Sequence, residues 1–161
     1  MQLSPVADSV TINTGTTYAY QNVPGLDLST RARVEFSAMT RTDVHVLLTM
    51  GNGGVFEVVI GGWDNSKSAI RRSTQGNNIV EKGGAVLSAN EFRTFVLDWS
   101  TPRVLKVFSK SSTGTLTPLL ETPQQPESVL DMKTMAVSTY VASGTFRVQV
   151  APPFTLPPPP A

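Results

Sequence analysis

The sequence contains no cysteine and a single histidine, His45. The first absence excludes disulfide scaffolds, thiolate zinc sites, iron–sulfur clusters and thiol catalysis together. Charge of one sign is also missing. Thirteen Lys and Arg face 12 Asp and Glu, a net charge of +1 with no basic run, so nucleic acid is not an expected partner. No window approaches the roughly 18 consecutive apolar residues of a spanning helix, so membrane insertion is not expected either. The opening Met1-Gln2-Leu3-Ser4-Pro5 has neither a basic nor an apolar signal region. The expected location is extracellular, by a route not visible in this chain or after removal of a signal, with the cytoplasm left open.

Three familiar reaction centres lack their parts. There is no Gly-x-Ser-x-Gly elbow, and no glycine-rich loop between a strand and a helix to cradle a phosphate. Gly51-Asn52-Gly53-Gly54 and Gly61-Gly62 lie between β segments and read as turn and bulge glycines. No EF-hand loop occurs, and Asp64-Asn65 alone offers too few oxygens for calcium. Asp43, Glu57, Asp64, Glu91 and Asp98 are available carboxylates. Spacing alone brings no two of them across a sugar ring. Neither a cofactor nor a metal is expected.

What is present is a strand vocabulary. Apolar residues recur at every second position, in segments rich in Val, Thr and aromatics. Arg31 to Ala38 alternates cleanly, Asp43 to Met50 places Val44, Val46, Leu48 and Met50 on one face, and Val55 to Ile60 is apolar on both faces except at Glu57. That last pattern predicts a buried central strand. Further strands are read at Ser68 to Arg72, Phe92 to Trp99, Arg103 to Ser109, Lys133 to Tyr140 and Gly144 to Val150, with weaker ones near Val10, Tyr18, Ile79 and Leu116. Gly, Asn and Pro turn signals separate them. The prediction is an all-β, antiparallel two-sheet β-sandwich of jelly-roll or galectin-like type, a single domain over residues 1–150. Phe36, Val46, Phe56, Val58, Phe95, Leu97 and Trp99 are its expected core. Leu87 to Glu91 is the one predicted helical turn. Residues 151–161 form a proline-rich tail read as extended polyproline. It is either a terminal extension or a contact element through Phe154 and Leu156.

The densest polar cluster runs from Ile60 to Arg72, where a buried strand ends in two glycines and then presents an indole, an acid, an amide, hydroxyls and two guanidinium groups. A polyhydroxylated ligand needs that mixture of donors, acceptors and one apolar face. The same residues also fit a purely structural hairpin in which Trp63 is core, Asn65 caps the turn and Arg71 pairs with Glu57 or Glu91. Both readings stand on the sequence. The candidate ligand-binding set is Trp63, Asp64, Asn65, Ser68 and Arg71, with His45, Glu91 and Arg93 as supports from neighbouring strands.

This cluster resembles the domain called farnesoic acid O-methyltransferase-like, found in many invertebrate proteins. The resemblance rests on Asp43-Val44-His45-Val46, on Phe56 to Trp63 with Asn65, Ser68, Ile70 and Arg71, on Leu87 to Arg93 with Phe95 and Trp99, and on Tyr140-Val141-Ala142-Ser143-Gly144. It spans roughly residues 16 to 150. The family's name implies methyl transfer. Its members resemble β-sandwich modules of extracellular or innate-immunity proteins, some of them lectin-like. The chain departs from the family's habit of tryptophan near Tyr140 and Phe146, and has Thr101-Pro102 in place of a glycine turn after Trp99. The expectation is a non-catalytic lectin that binds glycans, galactose-type ones among them, and gains strength as a homo-oligomer. The alternatives are small-molecule O-methyl transfer and a non-catalytic protein-interaction domain.

Overall fold

The computed structural model describes residues 9–129 and 131–151. The readings of the opening residues and of the proline tail beyond Ala151 lie outside the described residues. The described chain forms two six-stranded antiparallel sheets. The first joins β1 (Ser9–Thr14), β12 (Gly144–Gln149), β3 (Arg33–Met39), β8 (Arg93–Asp98), β9 (Lys106–Lys110) and β10 (Leu116–Glu121), in that order. The second joins β2 (Gln21–Asn22), β11 (Met132–Thr139), β4 (Val44–Met50), β5 (Val55–Gly61), β6 (Lys67–Arg71) and β7 (Asn78–Gly83).

Period-two patterning explains the sandwich. In β3, Val34, Phe36 and Ala38 are buried while Arg33, Glu35 and Ser37 face out. The outward side chains pair across strands, Arg33 with Asp98 and Glu35 with Lys110, both at 2.6 Å. Each inward set meets the other sheet's inward set. Within the first sheet's inward set, Phe36 lies 5.6 Å from Phe95 and 6.1 Å from Phe146, ring centre to ring centre. The seven expected core residues are all buried. Trp99 also satisfies its indole N–H by donating to the Arg31 carbonyl at 3.1 Å.

Two local expectations change. Leu87 to Glu91 makes a bend, not a helical turn. Ser88 Oγ accepts from the backbone N–H groups of Asn90 and Glu91, while the Ser88 carbonyl is held by Thr40 N–H at 3.0 Å, which keeps the segment open. The strand expected from Arg103 begins only at Lys106, because Arg103 adopts φ 67°.

Strand β5 has the predicted interior position, flanked by β4 and β6. Its second apolar face is the outer face of its sheet, and that face is covered as well. Tyr18 and Tyr20, from the link between β1 and β2, lie across it. This cover turns an ordinary outer sheet face into a buried polar network.

Candidate functional site

The network follows from register. Antiparallel pairing aligns Ser138, His45, Val59 and Ala69 in one row across β11, β4, β5 and β6, and Ala136, Leu47, Glu57 and Arg71 in the next. Because successive side chains alternate, these rows share the outer face. Glu57, wholly buried, accepts four hydrogen bonds. Its Oε1 takes the Arg71 guanidinium at 3.0 Å and the Gln75 backbone N–H at 2.8 Å. Its Oε2 takes Tyr20 at 2.6 Å and the hydroxyl of Tyr18. Burial alone would raise the Glu57 carboxyl, but these donors hold it below the ordinary carboxylate value. Tyr18 is pushed up to about 12, first by burial and then by its bond to Glu57.

His45 is 6% exposed and sits edge-on to Tyr18 at 5.0 Å. Its Nε2 lies 2.8 Å from Asp43 Oδ1. Burial pushes the imidazole down to about 4, so it is neutral at physiological pH, with Nε2–H donating to Asp43. Nδ1 is then a buried acceptor with no partner among the described residues.

That arrangement makes stability pH-dependent. A histidine whose folded pKa lies below its ordinary 6.5 favours the folded state above that value, and the contribution is lost as pH falls toward 4. Asp43, raised by burial, opposes this at the acid end. The expected net loss is about 1–3 kcal/mol across that window. Urea unfolding at a series of pH values checks it, and His45→Gln should flatten the slope.

The β5–β6 connection is a left-handed turn. Gly61 (φ 62°), Trp63 (φ 50°), Asp64 (φ 61°) and Asn65 (φ 60°) all lie in the left-handed region, where a non-glycine residue costs roughly 1–2 kcal/mol. Side chains over-determine the turn. Asn65 Oδ1 accepts from the N–H groups of Val86 and Leu87, and its Nδ2 donates to the Leu87 carbonyl. Ser68 Oγ accepts from Gly61 N–H at 3.0 Å, and Thr42 Oγ1 accepts from Asn65 N–H at 3.0 Å. A Cβ on Gly61 would stand 2.5 Å from Leu87 Cδ1. The Gly-Gly-Trp-x-Asn-x-x-Ser pattern is therefore largely a recipe for this turn.

The turn lifts Trp63 into solvent, 42% exposed, with Lys67 Nζ 4.3 Å and Arg71 Cζ 5.4 Å from its ring centre. The alternative in which Trp63 is core does not hold. Trp63, Asp64, Arg71 and His45 border one depression of about 500 Å³, together with Tyr18, Asp43, Gln75, Tyr140 and Val141. That is a size suited to a small ligand. Among the described residues, Trp63, Tyr140 and Val141 are the exposed large hydrophobics, and all three border it. Positive φ outside glycine occurs at Asp43, Trp63, Asp64, Asn65, Gln75 and Val141, all on or beside this depression, and elsewhere among the described residues only at Arg103. Such conformations persist where the surroundings impose them, and they cluster at binding sites. For the β-branched Val141, at φ 74°, the strain is greatest.

Four members of the expected set lie elsewhere. Asn65 and Ser68 spend their polar atoms inside the turn. Ser68 is wholly buried. Glu91 and Arg93 pair with each other at 2.7 Å beside a separate hollow that includes Phe92 and Lys110. Arg71 pairs with Glu57, not Glu91. Tyr140 and Val141 carry part of the resemblance but, like Tyr18 and Gln75, are not in the expected ligand-binding set, since contributions from remote loops leave no spacing signal. Glu57 did leave one, as the lone charge in a strand apolar on both faces. No group of three or more His, Cys, Asp or Glu side chains placed to hold a metal ion occurs among the described residues.

No curated protein matches the sequence. Solved structures share its fold. Lectin I-B4 from Griffonia simplicifolia, in its metal-free form, superposes with a TM-score of 0.53 at 10% identity, over 88% of this chain and 89% of the lectin. A Bacillus licheniformis beta-glucanase gives 0.50 at 14% identity, over 89% and 78%. A native glycosidic hydrolase gives 0.53 at 9% identity, over 93% and 81%. At such identities the likeness is one of architecture. The sequence itself matches the family described as "Farnesoic acid 0-methyl transferase" over residues 14–151. With that match covering most of the chain, and the turn built by the residues that carried the resemblance, this protein belongs to the farnesoic acid O-methyltransferase family of domains.

Proposed function

We propose that the protein is a non-catalytic glycan-binding module whose site is the depression between Trp63 and Tyr140. One observation carries this: the large exposed aromatic and aliphatic side chains among the described residues gather at one hollow that Asp43, His45, Asp64 and Arg71 also border. A pyranose presents an apolar ring face and a fringe of hydroxyls, and that pairing suits it. The sandwich shared with lectin I-B4, a beta-glucanase and a glycosidic hydrolase agrees with this reading at the level of fold.

Catalysis is disfavoured by the state of Glu57. A general acid or base needs a free lone pair or a mobile proton near its working pH. All four acceptor positions of Glu57 are filled, and it is held ionised. A methyl donor such as S-adenosylmethionine also fits poorly. Among the described residues both sheets are antiparallel, so there is no parallel strand–helix–strand unit with the glycine-rich first turn on which such a donor is usually held. Homo-oligomerisation belongs to the same proposal, since one shallow site binds weakly and linked sites raise avidity by about 10²–10⁴.

The test is a glycan array run beside calorimetry with S-adenosylmethionine. Saturable glycan binding with a silent titration is the expected result. Saturable binding of the methyl donor with a blank array would overturn the reading.

A further inference from the structure

We infer that the hollow selects neutral sugars over acidic ones, and that a ligand hydroxyl donates its hydrogen to His45 Nδ1. This deepens the glycan-binding reading and rests on it.

The inference follows from accounting for charges and hydrogen-bonding groups at the hollow. Its cations are already matched. Arg71 is closed on Glu57, Arg41 on Asp64 at 2.6 Å, and Lys67 faces Glu81 at 3.5 Å. Asp43 has no Lys or Arg partner among the described residues, and its neighbour His45 is a neutral imidazole. The hollow thus carries one uncompensated negative charge in a half-buried position, where it is poorly screened. A carboxylate or sulfate on a sugar would be set against it.

The hydrogen-bonding groups point the same way. Nδ1 of His45 is a buried acceptor in a residue that borders the hollow, and no described residue donates to it. Asp43 Oδ2 likewise receives no hydrogen bond from the described residues. A buried acceptor left unmade costs about 1–3 kcal/mol, so the site gains most from a ligand that brings donors. Sugar hydroxyls bring them without adding charge. His45 is on this account a specificity-determining residue: its ring, held in one tautomer by Asp43, fixes which ligand hydroxyl must act as donor.

Two measurements on the full chain test this. On an array carrying galactose, glucose and mannose glycosides beside their uronic acid, sialylated and sulfated counterparts, the neutral sugars should bind at least tenfold tighter. Asp43→Asn should narrow that gap. Equal or tighter binding of the acidic sugars overturns the inference and leaves the glycan reading intact, whereas retention of no glycan at all overturns both. For the best neutral monosaccharide, a scan of deoxyfluoro analogues then asks for the hydrogen directly, because fluorine cannot donate. One position should lose about tenfold or more against the unaltered protein. The loss should largely vanish in His45→Phe. A flat scan overturns the assignment, and that scan on the unaltered protein stands even if His45→Phe does not fold.

Discussion

Replacing Glu57 with alanine is expected to destabilise the domain by about 3–5 kcal/mol, the cost of breaking a buried ion pair from one side. Arg71, whose side chain is only 14% exposed, keeps its charge but loses the carboxylate that balances it. Tyr18, Tyr20 and the Gln75 N–H lose their acceptor at the same time. Glu57→Gln should recover part of the loss, because its oxygen can still accept from Arg71 and Gln75 N–H while its amide donates to the Tyr18 and Tyr20 hydroxyls, but the charge that balances Arg71 is gone. Urea unfolding measures the loss, and a change below about 1 kcal/mol would contradict the network. The tyrosines supply an independent readout. Tyr18, held up to about 12 in the parent, should titrate closer to the ordinary 10 in Glu57→Ala if that variant stays folded. Since a raised folded value contributes stability that is full below about 10 and is lost as pH climbs toward 12, the parent's advantage over the variant should shrink in alkali.

Gly61→Ala carries the second large effect, about 2–5 kcal/mol. Part is the left-handed conformation at φ 62°, which any Cβ opposes. The rest is overpacking, since the new Cβ would stand 2.6 Å from Leu87 Cγ and 2.7 Å from Asn65 Oδ1. Asn65 is the side chain that ties the turn to Val86 and Leu87, so the strain passes directly into the element that presents Trp63. Loss of stability should therefore come with loss of ligand binding. A variant as stable as the parent would show that the turn relaxes freely.

These two positions also show what the sequence could and could not reveal. Strand periodicity depends only on which side of a sheet meets the core, so the sandwich and the burial of Phe36, Phe95 and Leu97 were readable from alternation alone. Glu57 was visible as an anomaly, a charge in a strand apolar on both faces. The reason for it was not, because the tyrosines that bind it come from residues 18 and 20, far away in the chain. The Ile60 to Arg72 cluster stands out in the sequence, yet its polar residues divide by direction. Trp63, Asp64 and Arg71 border the hollow, while Asn65 and Ser68 turn inward to hold the backbone. Composition cannot separate those roles, since a left-handed run of three non-glycine residues has no pattern of its own. Glu91 and Arg93 are expected from the sequence as supports from neighbouring strands, but β8, which Arg93 opens, belongs to the opposite sheet.

The central claim is that ligands bind between Trp63 and Tyr140. Calorimetric titration of the best array glycan into the parent, Trp63→Ala and Tyr140→Ala tests it most directly, with the urea midpoint of each variant measured alongside. Both side chains are exposed and lie outside the core cluster, so the midpoints should stay close to the parent's. Affinity should fall about tenfold or more for Trp63→Ala, with a smaller loss for Tyr140→Ala. Two folded variants that bind the glycan as tightly as the parent would contradict the account.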